Sequence, residues 1–356
     1  MSSTHQYGSQ AGSTDTADRY DTSHGVGEIR AGIATVVATS ALLMLAAQRA
    51  GPEEPRAGQD DDGPVTVADV HGQDTATASW DIPIHRTPEV ERWIAFYTSE
   101  SGRRSFEDWL DRMSLYEEPI RKELRSRGMP EDLVYIALIE SGFEPRAVSS
   151  ARASGLWQIM PVTAREQGLR VNPWVDERLD PVRSTTAAIE FLEALHARFG
   201  AWYLAVAAYN TGASRVYRAL STHVGAGPWS EDHFWSISPH LPRETQQHVP
   251  RLIAAAVLGK EPARFGFAPQ ATAPRAFETV YTLGETSLAR LADAAGVPHR
   301  EVRDLNPHLI RGVSPPGLFY PVRVPTGTAR QVVAALSTGE PGVAEPGVGG
   351  RAVLAE

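Results

Sequence analysis

The stretch Gly128–Pro145, "GMPEDLVYIALIESGFEP", decides how this chain is read. Pro130 suits a first helical turn, Glu131 and Asp132 suit the positive end of a helix, and Gly142 supplies the stop. Between these signals Leu133 to Ile139 carry no charge, so the segment reads as a helix meant for burial. Its last turn nevertheless holds a carboxylate, Glu140. The helical neighbours of Glu140 at −3, −4 and −7 are Ala137, Ile136 and Leu133. Desolvation and the negative helix end would both favour the protonated form, the state a general acid needs. A glutamate near a helix end is more often simply solvated, so this stretch alone leaves both readings open.

Upstream, residues 89–128 place apolar side chains at spacings of three and four, as amphipathic helices do. Downstream, "STTAAIEFLEALHARFG" and "AWYLAVAAYNTG" are helices ending in glycine, and "LPRETQQHVPRLIAAAVLGK" is another. No strand is expected between Pro88 and Phe267, so residues 88–267 read as one all-helical domain. After a Pro/Ala break at 268–275 the pattern changes. "FETVYTLG" and "FYPVRVPTG" read as strands flanking two short helices, a β-α-α-β unit over residues 276–327. Residues 328–356 read as a loose tail.

Residues 1–30 are rich in Ser, Thr, Gly, Asp and His. Residues 31–48, "AGIATVVATSALLMLAAQ", lack charge and lie between Arg30 and Arg49. The run is near the lower limit for a membrane span and long for the apolar part of a signal peptide. It reads as a membrane-targeting segment, either an anchor or a cleaved signal. Either way the bulk of the chain is expected outside the cytoplasm, in the periplasm or cell envelope, with the cell membrane as a partner through this segment. Residues 49–87 read as an acidic linker: between Gly51 and Trp80 seven acids face one base, Arg56. The net charge of −9 argues against nucleic-acid binding. There is no cysteine, which excludes disulfides, thiolate metal sites and lipidated cysteine. The eleven histidines include no His-x-x-x-His pair, so neither a metal nor a cofactor is expected.

Three further motifs bear on Glu140. "AVSSARASGLWQIMP" carries Ser149, Trp157 and Gln158, small residues followed by an aromatic wall of the kind sugar sites use. "AAYNTG" puts Tyr209 and Asn210 at a helix end, and "ETQQHVP" holds His248. Taken singly, Trp157 and Tyr209 are more often core residues than ligand contacts.

Together and in this order, "GMPEDLVYIALIESGFEPRAVS", "GLWQIMPVTAREQGLRVNPWVDERLDPVRSTTAA", "RFGAWYLAVAAYNTG" and "LPRETQQHVP" resemble the goose-lysozyme-like lytic transglycosylases, in particular their membrane-bound lytic murein transglycosylase D group. The resemblance covers about Trp93 to Phe267. It implies a mainly α, lysozyme-like catalytic domain that cleaves the MurNAc–GlcNAc bond of peptidoglycan glycan strands. It also implies Glu140 as the catalytic acid/base and Ser149, Gln158, Tyr209, Asn210, Ser141, Trp157 and His248 as substrate-binding residues. Two positions depart from the pattern: Arg152 stands where the family usually has glycine, and His248 where it usually has a site-lining tyrosine. The C-terminal unit resembles a LysM module through its Leu-Ala-Ala-Gly-Val helix, Leu305-Asn306-Pro307 and closing "RVPTG". As a separable binder it would be dispensable for short soluble glycans but needed for retention on the wall; the alternative is a β-α-α-β appendage that only packs against the rest. With one carboxylate in the aligned motifs, a substrate-assisted reaction giving 1,6-anhydro ends is expected. The alternatives are a hydrolytic muramidase on the same fold and a non-catalytic wall-binding scaffold.

Overall fold

The computed structural model describes residues 80–317, 319–337 and 352–354. The segments at 1–30, 31–48 and most of the linker lie outside the described residues. Among the described residues no helix is long and apolar enough to cross a membrane.

The periodic stretch before Gly128 is three helices: α1 (Pro88–Thr98), α2 (Glu100–Met113) and α3 (Glu117–Ser126). Thr87 caps α1 by accepting from the Val90 N–H, with Pro88 in the first turn. Ser99 ends α1 and caps α2, which breaks the run in two. The buried segment follows as a short 3₁₀ turn and α4 (Val134–Ser141), then α5 (Pro161–Glu166). Asp180 caps α6 (Pro181–Phe199) by accepting from the Val182 and Arg183 N–H groups, and Gly200 closes it in the left-handed conformation. Next come α7 (Trp202–Thr211), α8 (Ala213–His223), α9 (Asp232–Ile237) and α10 (Arg243–Lys260). Tyr203 to Ala208 of α7 are all buried, the pattern of a helix surrounded by protein. It packs against α6, α8 and α10, while α10 also contacts α1 and α4. The core of this domain runs from Ile82 to Phe267.

Residues 80–85 strap onto the domain. Ile82 is buried, the Asp81 N–H donates to Asp132 Oδ2, and Asp81 Oδ2 accepts from the Glu131 N–H. Lys260 lies over the Trp80 ring.

The C-terminal unit has the expected order: β1 (Phe277–Thr282), α11 (Leu288–Ala295), α12 (His299–Leu305) and β2 (Tyr320–Pro325), with β1 and β2 antiparallel. It extends past residue 327, because α13 (Ala329–Ser337) buries Val332 and Leu336 in the same core and a short β3 (Ala352–Leu354) pairs with β1. Val175, from the other domain, is 1% exposed and belongs to this second core. The 268–275 connection is bonded to α2: Ala268, Gln270 and Thr272 donate their N–H groups to Glu107, Asp111 and Ser114.

Candidate active site

Glu140 lies in the last turn of α4. Gly142 ends that helix at φ +58° and donates its N–H to the Leu138 carbonyl. A Cβ at Gly142 would meet the Trp109 indole at 2.5 Å, so the stop requires glycine both for its backbone and for the space.

Two side chains from α10, one turn apart, meet the end of α4. His248 Nε2 lies 2.9 Å from Glu140 Oε1, with the imidazole 3% and the carboxylate 17% exposed. The other ring nitrogen, Nδ1, is buried and has no hydrogen-bond partner among the described residues. Arg251, also buried, donates Nη2–H to the Ile139 carbonyl at 3.0 Å. Its guanidinium sits over the Trp93 ring, 5.2 Å from the centroid. Arg112 donates to the Gly142 carbonyl at 2.7 Å. The sequence reading has a bare negative helix end beside Glu140. Two guanidiniums cover those carbonyls instead, because α2 and α10, far away in sequence, both cross there.

The 147–159 loop forms a wall next to this end. Single β-bridges join Val148 to Ser154 and Ser154 to Ile159. Gln158 (φ +46°) spends its amide nitrogen on the Gly155 and Ala147 carbonyls. Arg152 is exposed at φ +66°, a conformation glycine would adopt freely, which accounts for the glycine preference noted above. Ser149 accepts the Ala153 N–H with its hydroxyl and so shapes the turn.

Two predicted contacts are structural. Trp157 is fully buried and donates its indole N–H to Thr185 Oγ1, so it packs the core and offers no ring to a sugar. Ser141 is 5% exposed and its hydroxyl donates to the Leu156 carbonyl, tying α4 to the loop. Tyr209 donates its hydroxyl to the Trp157 carbonyl at 2.7 Å. Burial, and then the Glu140 charge, push its phenol well above the ordinary range, so it stays neutral beside the carboxylate. Asn210 accepts from Thr245 Oγ1 at 2.7 Å and donates to Glu244 Oε1 at 3.2 Å, locking α7 to α10.

Sequence reasoning missed Arg251 and Glu244. Their signal is the spacing in "ETQQHVPR": Glu244, His248 and Arg251 stand four and three apart, on one helical face. Glu144, the other nearby acid, accepts the Arg146 N–H locally. Asp176 and Asp180 are N-caps. Among the described residues no cluster of three metal-ligating side chains occurs.

Comparison with known proteins defines the class. Residues 118–230 match the Transglycosylase SLT domain, and residues 276–340 match the LysM-like domain of lytic transglycosylase MltD. The two matches follow one another along the chain, the SLT match first and the LysM-like match after it. Among individual relatives it is 37% identical over 225 residues to membrane-bound lytic murein transglycosylase D of Escherichia coli K12, an alignment covering 62% of this chain and 48% of that protein. It is 47% identical over 100 residues to a putative tributyltin chloride resistance protein of Alteromonas sp. strain M-1, covering 28% and 48%. A crystal structure of an inactive mutant of the lytic transglycosylase Slt from Pseudomonas aeruginosa aligns at 27% identity and a TM-score of 0.33, covering 43% of this chain and 24% of that one. The chain spans about half the length of each of these two curated relatives.

Proposed function

We propose that this protein is a lytic transglycosylase that cleaves the MurNAc–GlcNAc β-1,4 bond of peptidoglycan, with Glu140 as its acid and base, in remodelling of the cell wall. The observation that carries the proposal is Glu140 at the end of a buried helix inside an SLT domain, its carboxyl group within 2.9 Å of a buried imidazole. Glu140 first gives its proton to the leaving glycosidic oxygen, while the MurNAc acetamido group stabilises the developing cation. The resulting carboxylate then takes the proton of the C6 hydroxyl as that oxygen attacks C1. The product is a 1,6-anhydro end, and no water is consumed. His248 Nε2 accepts from the carboxylic acid, or donates to the carboxylate when it carries the proton, so it can follow both steps. Tyr209, neutral throughout, lines the same end. Residues 31–48 would hold or deliver the chain to the outer side of the membrane.

Glu140→Gln keeps the shape but has no proton to give. It should lower turnover by at least about a hundredfold with folding and wall binding near normal. Turnover within about tenfold of the parent, roughly 1.4 kcal/mol of barrier, would remove Glu140 from the role.

Glu244 favours one second reading. It is an exposed carboxylate one turn before His248, and a hydrolytic muramidase needs a second acid to activate water. Mass spectrometry of digested peptidoglycan separates the two: anhydro ends support the transglycosylase, reducing ends the muramidase, and intact strands a scaffold.

A further inference from the structure

The C-terminal module is joined to the catalytic domain by more than its connecting segment. Val175 pairs with Leu309 in an antiparallel bridge, Asp176 N–H donates to the His308 carbonyl, and Ile310 N–H donates to the Trp174 carbonyl. Arg311 donates to the Pro173 carbonyl and covers the Trp174 ring. Beside this, the Asp180 carboxylate is 1% exposed and receives Arg323 Nη2 of β2 at 2.8 and 2.9 Å. Nearer the site, Arg146 pairs with Asp304 at 3.1 Å and donates to the Arg303 carbonyl.

The 176–180 turn that the module grips is also the support of the active-site loop. Arg178 is buried, pairs with Asp176 at 2.7 Å, and donates to the Arg152 and Ile159 carbonyls. The backbone of Gly155 lies so close to the Arg178 carbonyl that a Cβ would sit 1.8 Å from its oxygen. That same loop carries Gln158, receives Ser141 at Leu156 and receives Tyr209 at Trp157. A continuous set of bonds therefore leads from β2 of the module to the end of α4.

We propose that Arg323 is a positioning residue for the catalytic site: by pairing with Asp180 it fixes the 176–180 turn, and through Arg178 the 152–159 loop, against Glu140. The module then acts on turnover as well as on any wall binding, in place of the separable appendage read from sequence. A buried carboxylate left without its guanidinium is costly, so the turn must shift or hydrate when Arg323 is removed. Small displacements of a positioning shell cost rate disproportionately. The proposal rests on Glu140 being the catalytic group only for its kinetic arm.

The test uses the full chain with Arg323→Ala, Arg323→Lys and Asp304→Ala, the last a half-exposed site chosen because folding should survive it. On short soluble peptidoglycan glycans, Arg323→Ala should lower kcat about tenfold or more with KM changed less than about threefold. Arg323→Lys should recover part of the loss, and Asp304→Ala should show a smaller kcat loss. Amide hydrogen exchange at residues 152–159 should accelerate in Arg323→Ala. This readout stands even if the chain turns over no glycan. Unchanged kcat in the folded variants, or a kcat loss with exchange at 152–159 unaltered, would overturn the proposal. If Arg323→Ala does not fold, Arg323→Lys carries the comparison through its kcat and its exchange at 152–159.

Discussion

At the scale of single residues, the end of α4 sets the carboxyl group proposed as acid and base beside a side chain that can either give or take a hydrogen bond. Glu140 faces an imidazole that can accept or donate, and the phenol of Tyr209 stays neutral. Arg251 holds the backbone one residue before Glu140 without pairing its side chain. Arg251→Met should leave the Ile139 carbonyl without its donor and destabilise the fold by about 1–3 kcal/mol, readable in urea unfolding. His248→Phe removes the hydrogen-bond partner of the Glu140 carboxyl group and should lower turnover about tenfold or more with KM little changed, whereas turnover within about twofold of the parent would take His248 out of the chemistry. Read from sequence as a substitute for a site-lining tyrosine, His248 is turned toward Glu140, 2.9 Å from its carboxyl oxygen.

At the scale of elements, the outcome depends on closeness of backbone. Gly155 carries φ +83° and approaches the Arg178 carbonyl, so Gly155→Ala should cost at least about 2 kcal/mol and reduce activity, checked by thermal melting and turnover together. The helix stops at Gly142 and Gly200 were legible because glycine is a local signal. By contrast, α6 starts at Pro181, three residues ahead of the Ser184 read from the pattern, because Asp180 caps it from outside the apolar run. The split of the long amphipathic stretch at Ser99 was less visible, since the apolar spacing of three and four continues across it. In fact Gly102 is where α2 presses on α1, with room for a Cβ only 2.2 Å from the Phe96 carbonyl oxygen. Trp157 and Ser141 follow motif positions of a sugar site, but their burial is set by α6 and by the loop, which no local pattern reports. Arg112 and Arg251 at the α4 terminus were invisible for the same reason: they arrive from segments 30 and 112 residues away.

At the scale of the whole molecule, the two domains share a buried charged seam whose strength depends on pH. Burial lowers His308 to about 4, against a partial pull upward from Asp180. Burial alone would raise Asp180, but Arg323, His308 and backbone N–H groups outweigh it and hold its carboxyl below the usual range. Glu177, Arg183, Arg170 and Tyr320 complete the surroundings. Because the folded His308 resists protonation, the unfolded chain binds a proton first as pH falls below about 6.5. Its contribution is thus lost between about pH 6.5 and 4, and that of Asp180 at still lower pH, as pH falls through its folded value. Melting temperature should fall over the first window, with roughly 2–3 kcal/mol at stake, and His308→Phe should flatten that slope.

The strap at Trp80–Ile84 sets a radius of action. Its burial against α10 and the turn before α4 fixes where any leash to the membrane begins. Residues 49–79 can span at most about 100–110 Å when fully drawn out. If residues 31–48 are held in a bilayer, the strap at Trp80 must stay within that distance of the membrane surface, and the domain with it. Shortening the leash would then restrict which layers of a wall are cut while leaving the rate on dissolved strands untouched.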